Sequence, residues 1–375
     1  IFIISPLISL MEDQKEKLLE KGIPVSALHG NNSRKDKEVF DIIDGKIYIV
    51  YMSPEYLING DGMELAKTLY KDNKLGYFAV DESHCISVWG HDFRKSYLKL
   101  YKFRKKFPTI PILAVTATAT DIVVKDIVKN LRMKDHLMIH ANFDRPNLYI
   151  KCVNVFNENL KKVGRKYCLN GSLHIFDEKN KCKKCKINPE TYKYSDDEFN
   201  QLRKNKKRKY VTKISRLDLM KKYLNKYEDD KIIIYCTSRK DTVELAEELN
   251  SIKKGLAEAY HAGMSKKLRE KIQSNFSSGK INIIVSTIAF GMGIDQIVRC
   301  VLIFGASSSI EEYYQQIGRA GRDGLPAETI LFYQDQQMKV KIEMIKKESI
   351  SKLLKDVKIE NVSNMRKLCF YKGCR

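Results

Sequence analysis

The sequence has no apolar run approaching the ~20 residues that a membrane-spanning helix needs. Its opening stretch, IFIISPLISL, is too short and is broken by Pro6 and polar residues, and it lacks the basic leader of a secretory signal. No membrane partner is expected. Acid is scarce: 46 Asp and Glu stand against 68 Lys and Arg, a formal net charge of +22. That imbalance favours a polyanionic partner, nucleic acid first, although a lysine-rich composition alone also produces it. No Gly-x-x-x-x-Gly-Lys-Ser/Thr segment occurs anywhere, so the usual backbone cradle for nucleotide phosphates is missing from these 375 residues. No internal repeat of fixed period is visible. The chain opens on Ile1, inside what reads as a strand, which leads us to expect a piece of a longer protein cut on its N-terminal side. Nine cysteines without a secretory leader point to a reducing compartment, with thiols or metal ligands rather than disulfides.

What is present is a rhythm of short β-branched runs. IFIIS, KIYIVYMS, GYFAVDES and ILAVTATA fall in the first 150 residues, and KIIIYCTS, INIIVST, CVLIFGA and TILFY fall after residue 230. Amphipathic stretches such as RKDTVELAEELN, 239 to 250, lie between them. Strands alternating with helices predict parallel sheets with crossover helices, and the pattern occurs twice, so two α/β lobes are expected. The expected boundaries are 1–145 for the first lobe and 146–340 for the second. A polar, Lys- and Asn-rich insertion at about 155–213 interrupts the second lobe, and 341–375 forms a basic helical tail. Lengthening a surface loop in this way costs little closure entropy.

In open parallel sheets, ligands gather at the carboxyl ends of the strands. The window AVDESHCISVWGHDF, 79 to 93, runs an apolar strand straight into Asp81 and Glu82, and adds the chain's single tryptophan, Trp89. An acid in that position can hold Mg²⁺, and its neighbour can orient and deprotonate an attacking water. TATAT, 116 to 120, follows the next expected strand, and its hydroxyls are candidates for linking the acids to movement of the other lobe. STIAFGMGID, 286 to 295, ends a strand with Gly291 and Gly293, which permit close backbone approach. QQIGRAGRDG, 315 to 324, carries Arg319 and Arg322 at a spacing that predicts neighbours on one helix face. Two guanidiniums opposite a Mg²⁺–acid site suit a triphosphate between the lobes.

SPLISLMEDQ, YMSPEYL, DESHCISVWGHDF, AVTATAT, IIIYCTSRKD, YHAGM, STIAFGMGID and YYQQIGRAGRDG, in that order, resemble the motifs of RecQ-type superfamily 2 DNA helicases. The resemblance covers roughly 1–150 and 213–335 and skips the insertion. It implies tandem RecA-like lobes, ATP and Mg²⁺ as cofactors, single-stranded and forked DNA as partners, and 3′-to-5′ unwinding in recombination, repair and replication. It implies that Asp81 serves Mg²⁺, Glu82 activates water and His84 couples the acid site to the other lobe. Arg322 would be the arginine finger, with Arg319 as its partner. Gln315, Gly293 and Asp295 would belong to the nucleotide surface, and Thr116, Thr118 and Thr287 to coupling. Ser5, Pro6, Thr237, Ser238, Arg239 and His261 would line the DNA path, with Gly263 nearby. Trp89, His91, Phe93 and Arg94 would form the aromatic-rich loop that senses single strands. Its rings can stack on bases at ~1–3 kcal/mol each without reading sequence.

The sequence departs from the family in places. Val88 stands where glutamine is usual, Lys95 where proline is usual and Phe304 where histidine is usual, and GIDQIVRC is shorter than its counterpart. In the family the phosphate loop lies just before the first strand seen here, so the 375 residues by themselves are expected to be nearly inactive as an ATPase. The tail resembles the start of the family's zinc-binding platform, with Cys374 as its first ligand. The insertion offers a separate Zn²⁺ candidate in Cys168, His174, Cys182 and Cys185, spaced C-x5-H-x7-C-x2-C, or else free thiols in a lysine-rich loop. NKKRK, 205 to 209, is either a nuclear-import signal or a solvated lysine run, and residence in the nucleus is expected from the DNA substrate. Two further readings stay open, an RNA helicase or non-unwinding translocase and a nucleic-acid-binding module without hydrolysis.

Overall fold

The computed structural model describes residues 1–30, 32, 35–88, 94–140, 144–155, 181, 183, 186, 215–291, 296–348 and 352–373. In the first lobe the elements are β1 (Phe2–Ile4), α1 (Ile8–Glu20), β2 (Val25–Leu28), α2 (Lys35–Ile43), β3 (Ile49–Met52), α3 (Pro54–Asn59), α4 (Gly62–Lys71) and β4 (Phe78–Val80). A single 3₁₀ turn (Ser83–Ile86) follows, then α5 (Lys95–Leu98), α6 (Tyr101–Lys106), β5 (Ile112–Ala114) and α7 (Asp121–Asn130). In the second lobe they are β6 (Leu148–Asn154), α8 (Arg216–Lys226), β7 (Ile232–Cys236), α9 (Arg239–Ile252), β8 (Ala257–Tyr260), α10 (Lys266–Ser277) and β9 (Ile283–Ser286). The chain continues through β10 (Cys300–Phe304), α11 (Ile310–Ile317), β11 (Ala327–Tyr333), α12 (Asp335–Lys347) and α13 (Lys352–Gly373).

Both sheets are parallel, as the alternation of strands and helices predicts. Their orders are β2-β3-β1-β4-β5 and β6-β11-β10-β7-β9-β8. Read from its β8 edge, the second sheet repeats the first strand for strand, β8-β9-β7-β10-β11, and adds β6 outside β11. One winding is therefore used twice, which explains the shared texture of the two halves without any repeat in the letters. In each sheet the direction of winding reverses once, between β1 and β4 and between β7 and β10. Those are the two places where an open α/β sheet leaves a crevice at its strand ends.

Both faces of the central strands are covered, so those strands are apolar on both sides. In the second lobe Ile233, Tyr235, Ile284, Val301 and Ile303 enter one core. Their alternating neighbours Ile232, Ile234, Val285, Cys300 and Leu302 enter the other. In the first lobe Phe78 stacks on Phe103 at 3.8 Å between centroids and fixes α6 on the sheet. The tail differs from expectation. The boundary placed at 340/341 runs through the middle of α12, and Val362 and Met365 of α13 are buried in the second lobe's core. In the described residues the tail packs against that lobe. Among them no helix is long and apolar enough to cross a membrane.

Candidate active site

At the first reversal point, β4 delivers Asp81 and Glu82 between the ends of β1 and β5. The Asp81 N–H donates to the Ile4 carbonyl at 2.9 Å, and the Ser83 N–H to the Val115 carbonyl at 2.9 Å, so the acid turn is stitched to both neighbouring strand ends. Glu82 takes a left-handed backbone, φ 47° and ψ 45°. Its N–H donates to Asp81 Oδ1 at 2.9 Å. Burial, and then the charge of Glu82, push the Asp81 carboxyl above its ordinary range. Beneath the pair, the fully buried Tyr97 donates its hydroxyl to the Asp81 carbonyl at 3.1 Å. Burial raises the ionisation of that phenol, which keeps it a donor.

Glu82 also begins a polar chain. Its Oε2 lies 3.2 Å from Nδ1 of the buried His84. Nδ1 is 2.9 Å from the Thr116 hydroxyl. That hydroxyl donates to the Thr118 carbonyl at 3.1 Å and accepts from the Thr118 N–H at 3.2 Å. With the Thr116 proton committed to Thr118, Nδ1 carries its own hydrogen and points it toward Thr116. The structure thus brings together Asp81, Glu82, His84, Thr116 and Thr118.

Two carboxylates crowded at a reversal point fit a divalent cation, because a cation relieves the cost that burial and like charge impose on Asp81. Among the described residues no cluster of three or more His, Cys, Asp or Glu could hold a metal. Mg²⁺ takes one or two carboxylates and fills its octahedron with water and phosphate oxygens, and Asp81 and Glu82 are the residues that would hold it. When bound, it would neutralise phosphate charge.

The remaining first-lobe candidates surround this core. Ser5 is fully buried and its hydroxyl has no partner among the described residues, while its N–H donates to the Met52 carbonyl at 3.2 Å. The Pro6 carbonyl accepts from the Arg94 guanidinium at 2.7 Å. Arg94 therefore ties the segment after β1 to the start of α5. Ser87 donates to Asp126 at 2.5 Å, which fixes the end of the 3₁₀ turn on α7. Trp89, His91 and Phe93 lie outside the described residues, as do Gly293 and Asp295 in the second lobe. The same holds for the zinc candidates Cys168, His174, Cys182, Cys185 and Cys374.

In the second lobe, Ser238 caps α9. Its hydroxyl accepts from the Asp241 N–H at 3.0 Å and donates to the Asp241 carboxylate at 2.6 Å. Burial alone would raise the Asp241 carboxyl, but hydrogen bonds from Ser238 and Arg216 outweigh it and hold it low. Arg239 lies over Gly263, where an added Cβ would meet its Nη1 at 3.0 Å and His261 Nδ1 at 3.3 Å. Arg239, His261 and Gly263 thus form one patch. His261 Nδ1 is buried with no hydrogen-bond partner among the described residues. Thr237 packs against Gly305, and the Thr287 N–H reaches the Tyr260 carbonyl at 3.4 Å.

The two arginines do not share a helix face. α11 ends at Ile317 and Gly318 closes it, so both stand on the turn that follows. Ala320 bridges to Val298 there, and Gly321 takes φ +57°, which stops the helix from continuing. Arg319 is half-buried over Gly291, where an added Cβ would come within 2.8 Å of its Nε. Beside it, Tyr235 donates to the Phe290 carbonyl at 2.9 Å. Arg322 is exposed. Both guanidiniums counter the rise that burial imposes on the Tyr235 phenol. Gln315 is half-buried on α11, whereas its neighbour Gln316 is buried and accepts from Ser307 at 2.7 Å.

Two residues that the motifs do not mark hold this turn. Arg145 donates to the carbonyls of Ala320 and Gly321 at 3.1 and 2.7 Å. Asn147 donates to those of Gly321 and Leu325 at 2.8 and 2.9 Å. They precede β6, whose pairing with β11 brings them to the turn. Nothing in the sequence pairs them with residues about 175 positions away.

The fold and site define a two-lobed helicase core. Residues 1–127 match the DEAD/DEAH box helicase family and residues 215–324 the helicase conserved C-terminal domain. A putative ATP-dependent RNA helicase, R290, of Acanthamoeba polyphaga mimivirus is 35% identical over 374 residues, 100% of this chain and 57% of the relative. The ATP-dependent DNA helicase RecQ of Haemophilus influenzae is 34% identical over 366 residues, 96% of this chain and 49% of the relative. The chain spans about half the length of these relatives. The Mycobacterium smegmatis helicase Lhr, solved with single-stranded DNA and AMP-PNP, superposes with a TM-score of 0.56 at 18% identity, covering 92% of this chain and 41% of Lhr. At that identity the likeness concerns the fold alone. The chain carries both helicase domains and is similar over nearly its whole length to RecQ-family DNA helicases.

Proposed function

We propose that the protein is an ATP-dependent DNA helicase that unwinds duplex or forked DNA in the 3′-to-5′ direction. One observation carries this reading: the Asp81–Glu82 pair stands at the winding reversal of the first sheet, with Glu82 3.2 Å from the buried His84, which is hydrogen-bonded to Thr116 and through it to Thr118. Glu82 holds the attacking water and takes its proton. His84 and the threonines report the state of Glu82 to the segment after β5. The Arg319–Arg322 turn, held by Arg145 and Asn147, presents positive charge from the second lobe. The patch of Arg239, His261 and Gly263 receives the nucleic-acid backbone. Mg²⁺ and ATP are the cofactors of this reading, the nucleus its compartment, and Trp89, His91 and Phe93 its base-stacking loop.

The relatives' names divide between RNA and DNA, which makes the polynucleotide the point to test. The ATPase of the full-length gene product should be stimulated by single-stranded DNA and little by RNA of the same length. Equal or greater stimulation by RNA would select the RNA reading, and no stimulation by either would remove the motor. Zn²⁺ held by Cys168, His174, Cys182 and Cys185, with Cys374 as the first ligand of a second site, is a separate part of the proposal. Unchanged zinc content in a Cys182→Ser, Cys185→Ser variant would dispose of the first of these sites.

A further inference from the structure

The second sheet has its own reversal point, between β7 and β10, and a cavity of about 160 Å³ opens there. Thr237 lines it from the end of β7, Thr287 from the end of β9, and the loop Gly305 to Ser308 from the end of β10. Gly305 has φ +94°, and a Cβ there would come within 2.7 Å of Thr237 Cγ2, so only glycine lets the loop close against Thr237. The floor is completed by Lys341 from the middle of α12, which no helicase motif includes. Its ammonium donates to the Ser308 hydroxyl at 2.9 Å. Burial pushes its pKa down, and the charge of Glu312 acts the other way. The Glu312 carboxylate is itself engaged by the loop, accepting from the Ser308 N–H at 2.8 Å and from the Gln316 amide at 3.4 Å.

The cavity sets hydroxyls around one ammonium, with the Glu312 carboxylate beside them held by the Ser308 N–H and the Gln316 amide, at the place where an α/β sheet receives ligands. Its size excludes a whole nucleotide, since drug-sized ligands occupy roughly 300–1,000 Å³. A single phosphate group is the ligand of matching size and charge. The neighbouring groups along the same strand ends, Arg239 and His261, form a second basic patch, so a chain of phosphates fits the surface better than an isolated one. We propose that this cavity binds one backbone phosphate of the nucleic-acid strand, with Lys341 as its cation and the hydroxyls of Thr237 and Ser308 as its neutral donors. The proposal rests on the nucleic-acid reading above and adds a contact from outside the motif set.

The test is fluorescence anisotropy with a labelled single-stranded oligonucleotide, titrated with protein between about 50 and 200 mM salt, the range over which phosphate contacts dominate. Lys341→Met keeps the length of the side chain and removes the charge. It should weaken binding about tenfold at the lowest salt, the loss expected for one charge-assisted hydrogen bond. It should also shrink the slope of log affinity against log salt by about 0.7, one phosphate's share for a single strand. Lys341→Arg should keep most of both. Ser308→Asp sets a carboxylate beside the ammonium on an exposed residue, so it should reproduce the loss even if Lys341→Met proves unstable on thermal melting. Wild-type affinity and slope in Lys341→Met or Ser308→Asp would overturn the site while leaving the nucleic-acid reading intact. A wild-type protein that binds no DNA would overturn both. A loss confined to fluorescent ADP would assign the cavity to a nucleotide phosphate and overturn the backbone assignment.

Discussion

Glu82 adopts a left-handed backbone that costs a non-glycine residue roughly 1–2 kcal/mol. The adjacent Asp81 is an acid whose ionised form the fold disfavours. Both costs fall on the residues we propose for catalysis, which is where natural proteins tolerate them. The sign for Asp81 follows from its raised pKa. Its protonated form is favoured in the fold, so the stability it contributes is present at low pH and is lost as pH rises through the folded value. Asp81→Asn should therefore melt above the wild type at pH 7, by about 2–4 °C for each 1 kcal/mol relieved. The gap should close as pH falls below the ordinary carboxylate range. An Asn variant that melts lower than the wild type at pH 7 would show that Asp81 is stabilised where it stands. Ser238 illustrates the opposite case, since its serine cap is local duty that any helix start invites.

At the scale of elements, the segment from Gly318 to Leu325 decides where the arginines stand. A short helix, a left-handed glycine and four hydrogen bonds to three carbonyls make it a braced turn, with Arg145 and Asn147 as the braces. Arg145→Ala removes two of those bonds: the Ala320 carbonyl loses its guanidinium donor, while Gly321 keeps the one from Asn147. We expect a loss of about 1–3 kcal/mol of stability. ATPase should fall by about 10²-fold, the cost of a misplaced catalytic group. Arg145→Lys should restore little, because one ammonium cannot replace a fork of N–H donors. Full ATPase in Arg145→Ala would show that the turn holds itself. The eight strands marked by β-branched runs are all present in the sheets, because buried parallel strands leave a continuous apolar signature. VSAL in β2 and AEAY in β8 are short and poor in branched residues, and β6 carries Lys151 and Asn154, so those three strands left little trace. The arginine spacing was legible but its helix was not, since Gly318 and Gly321 override a period that Arg319 and Arg322 happen to match.

At the scale of the whole molecule, one winding order appears twice, and the residues to which we assign chemistry sit at its two reversal points. The acid side of the site could be read from the letters, because carboxylates after an apolar strand have few structural uses. The basic side could be read only in part: Arg319, Arg322 and Arg239 fall in motifs, while Arg145 and Lys341 reach their places through pairings between distant segments that no local pattern encodes. The central claim is that the acids of the first lobe and the guanidiniums of the second serve one nucleotide. The most direct measurement is DNA-stimulated ATPase of the full-length gene product for Glu82→Gln and Arg322→Ala, with ATP binding followed in parallel. Loss of a general base costs about 10²–10⁴ in rate, and loss of an arginine finger about 10³–10⁵. Both variants should lose hydrolysis on that scale while Glu82→Gln still binds ATP. Hydrolysis at the wild-type rate in Arg322→Ala would contradict the account.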